Sequence, residues 1–535
     1  MSSLSFSHLH FSWPDGARVL TDVTGAVDSG LAALVGTNGT GKSTLLKVLA
    51  GELAPDSGTV NRPPRVQYVP QDVALDPEGR TDAAMGLAPI RAALRAVESG
   101  DVAQSHFDLI GDDWDVDERA TATLVSLGLP SDTLDRTVGE LSGGEITRLA
   151  LASALHADPD VLLLDEPTNN LDEAATAQVL GALERRRGAT LVVSHDRRVL
   201  ARVRSIGELS HGSLRWFGGS LDDYEQAKEA ERERAQAEVR SAASEAARQQ
   251  RELRKHIEGE GKRQRAGAKS AQGMPKIVAN ARKASAQATQ AKATAVHEDR
   301  ADAAAKRLDE AKGAARTDRE VRIDLAGTDV PPRRDVARLA DARLRTGTVV
   351  DALVQGPERI VLSGANGAGK TTLLRALLPV DTADAVVPLA GDAEVMVPVG
   401  YLPQRLDVLD PALSVVENVH RHALGASPHD VREQLARFLF RGASGDALAG
   451  QLSGGERFRA ALAAVLLARP APQLLLLDEP TNNLDFATRE HLLEALADYR
   501  GALVVVSHDA DAVARMGPTR EWVLDAAGFT DRPWT

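Results

Sequence analysis

The sequence predicts an α/β protein: two phosphate-loop nucleotide-binding domains joined by a long antiparallel α-helical hairpin. Three observations carry that reading. A glycine-rich loop occurs twice, as GTNGTGKST from Gly36 to Thr44 and GANGAGKTT from Gly364 to Thr372. Each copy is followed by the same further motifs in the same order. Between the copies lie two long runs without Gly or Pro, which favour helix. The expected bounds are 1–220 for the first domain, 221–318 for the hairpin and 319–535 for the second domain.

The repeat is a set of five motifs. The first copy reads GTNGTGKST, YVPQ at 68–71, LSGGE at 141–145, VLLLDEPTNNLD at 161–172 and LVVSHD at 191–196. The second reads GANGAGKTT, YLPQ at 401–404, LSGGE at 452–456, LLLLDEPTNNLD at 474–485 and VVVSHD at 504–509. Asp165 precedes His195 by 30 residues, and Asp478 precedes His508 by 30. The copies differ mainly between Gln71 and Ser142, 71 residues against 49 from Gln404 to Ser453.

In the hairpin, Leu221–Glu258 and Lys276–Lys312 are runs of 38 and 37 residues rich in helix formers. Each predicts a helix of ~57 Å at 1.5 Å per residue. The stretch GEGKRQRAGAKSAQGMP between them carries Gly and Pro and predicts a loop.

Bulk properties narrow the function. With 43% hydrophobic residues in 535 and no apolar run of membrane-span length, the chain predicts a soluble protein. Its first residues lack the basic and apolar regions of a signal peptide, so a cytoplasmic location is expected. Zero Cys excludes disulfides, thiol nucleophiles and cysteine-based zinc sites. A net charge of −13 argues against a polyanion partner unless positive charge is gathered in one place. It is gathered. Between Lys262 and Lys292 stand eight basic residues (Lys262, Arg263, Arg265, Lys269, Lys276, Arg282, Lys283, Lys292) and no acid. Such an island in an otherwise acidic chain points to a polyanion contact aimed at one place.

Each motif has a chemical reason. The glycines of the loop, Gly36, Gly39 and Gly41, let backbone N–H groups curl around phosphates at a helix N-terminus, with Asn38 and Thr44 beside them. Lys42 is expected to reach the β- and γ-phosphates and Ser43 to ligate Mg2+. Gly364, Asn366, Gly367, Gly369, Lys370, Thr371 and Thr372 repeat the set. The apolar runs ending in Asp165–Glu166 and Asp478–Glu479 read as buried strands with acids at their C-terminal edge. There Asp165 and Asp478 suit the metal shell, and Glu166 and Glu479 suit the orienting of the attacking water. The SHD tripeptides are not serine-hydrolase triads, because consecutive side chains on a strand alternate faces. His195 and His508 are read instead as γ-phosphate contacts. In LSGGE, Ser142 with Glu145 and Ser453 with Glu456 form capping boxes at helix starts. Behind their glycines (Gly143, Gly144, Gly454, Gly455) they present bare backbone donors to an anion, suited to the phosphate held by the other half.

These motifs, twice in one chain with a charged helical linker, resemble the ABC-F group of the ATP-binding cassette superfamily. The resemblance covers essentially the whole chain. It implies two ATP molecules with Mg2+ sandwiched between head-to-tail halves of a monomer. The first site would combine Lys42, Ser43, Gln71, Asp165, Glu166 and His195 with Ser453 and Gly455. The second would combine Lys370, Thr371, Gln404, Asp478, Glu479 and His508 with Ser142 and Gly144, and Gln71 and Gln404 would join the metal shells. Cassettes place an aromatic upstream of the loop against adenine, a role for Trp13 with Phe11 as runner-up. From Val321 to Ser363 the second half has no aromatic residue at all. The resemblance further implies binding to the ribosome, with rRNA and tRNA near the exit site facing the linker tip, in a translation factor or an antibiotic-resistance protein. The 22 extra residues after Gln71 amount at most to a short form of the additional arm seen in some members. An ATPase subunit of a membrane transporter shares every cassette motif but has no need of a basic hairpin. A DNA-repair ATPase of this type would carry zinc cysteines or much longer coils.

Overall fold

The computed structural model describes residues 4–169, 171–270, 276–315, 325, 327–380, 382–404, 406, 408–482, 484–525 and 527–534, with backbone alone for 260–270, 276–293, 314–315 and 487. It divides into two units, Met1–Leu221 with Val321–Thr535, and Asp222–Glu320.

The first unit holds both repeats, each built on a six-stranded sheet. In the first repeat the strands lie in the order Val66–Val69, Val161–Asp165, Ala189–Val193, Gly30–Val35, Ser205–Ser210 and Ser213–Gly218. In the second the order is Val399–Leu402, Leu474–Asp478, Ala502–Val506, Arg359–Gly364, Arg520–Asp525 and Gly528–Pro533. All neighbours are parallel except the last pair in each. Covered on both faces, the central strands VLLLD, ATLVV, LLLLD and ALVVV are buried at every residue, which is why they read as continuous apolar runs. A three-stranded antiparallel sheet stands beside each; in the first, Leu4–Ser12 lies between Arg18–Val27 and Ser57–Asn61. Its Leu4, Phe6, Leu9 and Phe11 share a core with Leu34, Leu45 and Leu163.

This strand order makes the site. The strand feeding the phosphate loop, the strand ending at Asp165 and the strand leading to His195 are neighbours, with Asp165 in register with Val193. Their C-terminal ends meet in one crevice, the usual ligand position of a doubly wound sheet.

The 22 extra residues of the first repeat are spent on helices. Thr81–Ala84, Ala88–Glu98, Gln104–Ile110 and Val116–Ser126 stand where, among the described residues, the second repeat has only Val415–His422 and Pro428–Leu435 as α-helices. Buried Arg91 of the helix Ala88–Glu98 ties it to Val116–Ser126 through Asp117 at 2.9 Å, and to the flanking segments through Asp82 at 2.8 Å and Asp135 at 3.2 Å.

The second unit is a helical hairpin, Leu221–Ser270 and Lys276–Ala315. Ala243, Ala246 and Ala247 face Ala305 and Leu308, and the rings of His256 and His297 stack at 4.6 Å. These pairings run in opposite directions along the chain, so the helices are antiparallel. A seam of alanines lets two largely polar helices approach closely. The predicted loop over 259–275 is corrected: helix continues through Gly259, Gly261 and Gly267 to Ser270. An isolated Gly costs ~1 kcal/mol in a helix, and the Lys, Arg, Gln and Ala around these three are good helix formers. At 50 residues the first helix is ~75 Å long, not ~57 Å. Residues 271–275 lie outside the described residues. Lys262, Arg263, Arg265 and Lys269 therefore lie on the last turns of the first helix, and Lys276, Arg282, Lys283 and Lys292 on the second. Their side chains are outside the described residues.

Candidate active site

The two phosphate loops adopt the same conformation. Gly36 and Gly364 have φ of 154° and 145°, and a Cβ on either would meet the carbonyl oxygen of Leu209 or Leu524 at 2.3 or 2.1 Å. Only glycine fits there. The loops end at Gly41 and Gly369, left-handed N-caps that turn the chain into the helices Lys42–Ala50 and Lys370–Ala376. Lys42 Nζ donates to the carbonyls of Gly36 (2.7 Å) and Thr37 (3.2 Å), and Lys370 Nζ to those of Gly364 (2.7 Å) and Ala365 (3.1 Å). Burial pushes both ammonium pKa values down, and the nearby acids, Glu166 with Asp485 and Asp165 for Lys42, oppose it.

The acids stand where the sheet edge predicts. Asp165 is buried, accepts from Tyr68 Oη at 3.3 Å and is bonded to the Ser43 hydroxyl; Asp478 is buried and bonded to the Thr371 hydroxyl. Burial raises both carboxyl pKa values. A buried carboxylate and a hydroxyl at the mouth of a phosphate loop are hard oxygen donors, the set that Mg2+ takes beside nucleotide phosphates. The chemistry of the donors thus fits the metal. Glu166 and Glu479 share a left-handed backbone, φ 49° and 50°, which is strained in a non-glycine residue and recurs in both copies. Burial raises their carboxyls to about 8 and about 7.

The histidines follow the next strand. His195 Nε2 lies 3.7 Å from Glu166 Oε1, and His508 Nε2 lies 3.2 Å from Glu479 Oε1 and 3.5 Å from Lys370 Nζ. Burial and Lys42 push the His195 pKa down to about 3; burial and Lys370 lower that of His508. Both imidazoles are neutral near pH 7.

The signature helices begin as predicted. Ser142 N donates to Glu145 Oε2 at 2.8 Å while the Ser142 hydroxyl accepts from Glu145 N, and Ser453 and Glu456 repeat the box. Asn38 N donates to Asp485 Oδ2 of the other repeat at 2.8 Å. A methyl group on Gly39 would stand 3.8 Å from Ser453 Cβ, and one on Gly454 would stand 3.6 Å from Asn38 Nδ2. The first loop and the second signature therefore face each other. A cavity of about 380 Å³ opens there, lined by Asn38, Gln71 and Glu166 of the first repeat and Gln404, Gly454 and Glu479 of the second. The opposite pair is looser: no atom among the described residues comes within 4 Å of a methyl placed on Gly143 or Gly367. Asp172 nevertheless acts electrostatically on Lys370, as Asp485 does on Lys42.

Phe11 and Trp13 separate cleanly. Phe11 is 6% exposed and belongs to the core, whereas Trp13 is 39% exposed and meets Phe11 edge-on at 5.1 Å. Only Trp13 has a ring free to stack. Thr44 and Thr372 lie in the first turn of the loop helices.

Asp172, Asp485 and Phe486 were not singled out from sequence. The helix-capping signal was there: an aspartate stands before EAATAQVL and before FATREHLL, and each caps its helix. Nothing in the sequence showed that Asp485 also reaches across to Asn38.

Fold and site together define a tandem phosphate-loop nucleotide-binding protein. The profile of the family described as ABC transporter matches residues 20–169 and 349–482. The tylosin resistance ATP-binding protein TlrC of Streptomyces fradiae is 35% identical over 522 residues, 92% of each chain. The ATP-binding protein Uup of Caulobacter vibrioides is 33% identical, over 97% of this chain and 78% of its own. An archaeal ribosome recycling factor, solved with a ribosomal stalk protein, superposes with a TM-score of 0.52 at 21% identity, over 96% of this chain and 87% of its own, a likeness of fold. The chain belongs to the ATP-binding cassette superfamily and, within it, to the ABC-F group. Membership assigns it ATPase chemistry, with ATP and Mg2+.

Proposed function

We propose that the chain is an ABC-F ATPase that binds the ribosome and acts on translation through its hairpin, with two composite ATP sites between the cassettes. The bond from Asn38 N to Asp485 Oδ2, joining the first phosphate loop to the second cassette beside Ser453, carries the composite-site reading. Each site takes its phosphate loop, acids and histidine from one cassette and its signature from the other. The domains are the two cassettes, 1–220 and 319–535, and the linker 221–318.

In the first site Lys42 and the loop amides bind the β- and γ-phosphates while the Ser453 helix start closes over the γ-phosphate. Ser43, Asp165 and Gln71 would hold Mg2+, which would neutralise phosphate charge there. Glu166 accepts a hydrogen bond from water and aims its oxygen at the γ-phosphorus. The new P–O bond forms as the bond to the ADP oxygen breaks, and the water's proton passes to Glu166 or to phosphate. Neutral His195 donates to a γ-oxygen, and closing of the cassettes excludes bulk water. Lys370, Thr371, Gln404, Asp478, Glu479 and His508 with Ser142 and Gly144 do the same at the second site.

The ribosome reading rests on similarity to a resistance protein along 92% of both chains, hairpin included, and on the basic island within an acidic chain. Among the described residues no helix is long and apolar enough to cross a membrane. The test is sedimentation of the protein with ribosomes in ATP, alongside membrane fractionation. ATP-dependent pelleting with ribosomes is expected; recovery in membranes with none on ribosomes would overturn the reading in favour of a transporter subunit.

A further inference from the structure

The two D-E-P-T-N-N-L-D motifs are identical, but the next residue differs: Glu173 in the first cassette, Phe486 in the second. Asp485 is fixed at both oxygens. Oδ1 accepts from Thr488 N at 2.8 Å, capping the helix Phe486–Asp498, and Oδ2 accepts from Asn38 N at 2.8 Å across the interface. That double anchor delivers Phe486 to the first site, where its ring meets His195 edge-to-face at 5.9 Å and 76°.

His195 needs such a partner. Its side chain is 9% exposed, and among the described residues neither ring nitrogen has a hydrogen-bond partner. Glu166 Oε1, its nearest acid, is 3.7 Å away. Packing therefore sets the direction of this imidazole, and the edge-on aromatic ring is directional packing. The second site is built otherwise. His508 is 23% exposed and sits among polar groups of its own cassette, Glu479 at 3.2 Å and Lys370 at 3.5 Å, while the first cassette contributes the charges of Asp172, Arg198 and Glu173.

We propose that Phe486 is a positioning residue supplied in trans, which orients His195 for the chemical step at the first site, and that the second site has no aromatic equivalent. The two sites are therefore inequivalent in how their histidine is held. This rests on the composite-site reading above.

The test is single-turnover ATP hydrolysis, with the first site isolated by Glu479→Gln and the second by Glu166→Gln. Phe486→Ala should slow the first site roughly ten- to a hundredfold, the scale of a misaligned catalytic group, with ATP affinity and melting temperature unchanged. Phe486→Tyr should restore the rate. Phe486→Leu, which keeps apolar volume but no ring, should remain slow; it decides the matter if the alanine variant folds poorly. The second site should hydrolyse as before in all three. An unchanged first-site rate, an equal fall at both sites, or no rescue by tyrosine overturns the proposal. His195→Ala is the control. If it leaves first-site hydrolysis intact, the composite-site assignment itself fails; if it abolishes hydrolysis while Phe486→Ala does nothing, only the present inference fails.

Discussion

Replacing Asp485 by serine separates two jobs that one carboxylate performs. Oδ1 caps its own helix and Oδ2 accepts the Asn38 amide of the opposite phosphate loop. Serine caps a helix about as well as aspartate, whereas alanine costs ~1 kcal/mol at that position. Neither is long enough to keep the bond across the interface. A hydrogen bond to a charged acceptor contributes about 1.5–3 kcal/mol, so closing of the cassettes should weaken by roughly ten- to a hundredfold. The chain has no cysteine, so Ser99→Cys and Ser444→Cys, both exposed, one on each cassette, give unique sites for a donor and an acceptor dye. With Glu166→Gln and Glu479→Gln blocking turnover, energy transfer against ATP concentration reports closure directly. Asp485→Ser should move the midpoint to roughly ten- to a hundredfold higher ATP while holding unfolding free energy within about 0.5 kcal/mol of the parent. Asp485→Ala should show the same shift and also lose ~1 kcal/mol of stability. A closure curve that does not move with Asp485→Ser would refute the reasoning, because the bond would then contribute nothing to joining the halves.

Four further outcomes are expected. Without nucleotide, Glu166 and Glu479 have carboxyls raised to about 8 and about 7 by burial, against an ordinary 4.5. The folded state therefore prefers them protonated, and stability should fall as pH rises from 4.5 towards 8, by on the order of 3–5 kcal/mol per glutamate. Denaturation of the wild type minus the double Glu→Gln variant should show that slope, and a flat difference would contradict the burial. Trp13→Ala should weaken nucleotide binding at the first site about tenfold, read with Lys370→Ala silencing the second, and leave the second unchanged. Phe11→Ala should instead lower stability by ~3–5 kcal/mol, because that ring is core. Changing Lys262, Arg263, Arg265 and Lys269 to serine should leave ATP binding intact and flatten the salt dependence of ribosome affinity by up to about 3–4 log units per log salt. An unchanged slope would move the RNA contact elsewhere.

The parts legible in the sequence are those written in contiguous residues. A phosphate loop, an apolar strand ending in Asp-Glu and a Ser-x-x-Glu cap each declare their local structure, and all appear twice where expected. The linker reading erred at Gly259, Gly261 and Gly267, where surrounding helix formers outweigh three modest local costs. Arg91 gave no signal, because its three aspartates are brought to it by the fold. Asn38 and Asp485 are 447 residues apart, and a bond between a backbone amide and a distant carboxylate leaves no trace in composition or period. The same distance hid the meeting of Phe486 with His195. The inward alternation of Leu4–Ser12 turns Phe11 to the core, and Trp13, just past the strand, is left exposed.

In the proposed function, two composite sites in one chain drive a cycle on the ribosome, closing with ATP and releasing on hydrolysis. Glu166→Gln with Glu479→Gln keeps the shape of both sites but weakens their hold on the attacking water. The direct measurement is sedimentation of this double variant with ribosomes in ATP, beside an assay of translation. The double variant should stay ribosome-bound and inhibit translation while the wild type cycles off. Wild-type turnover of ATP with no gain in ribosome retention would contradict it.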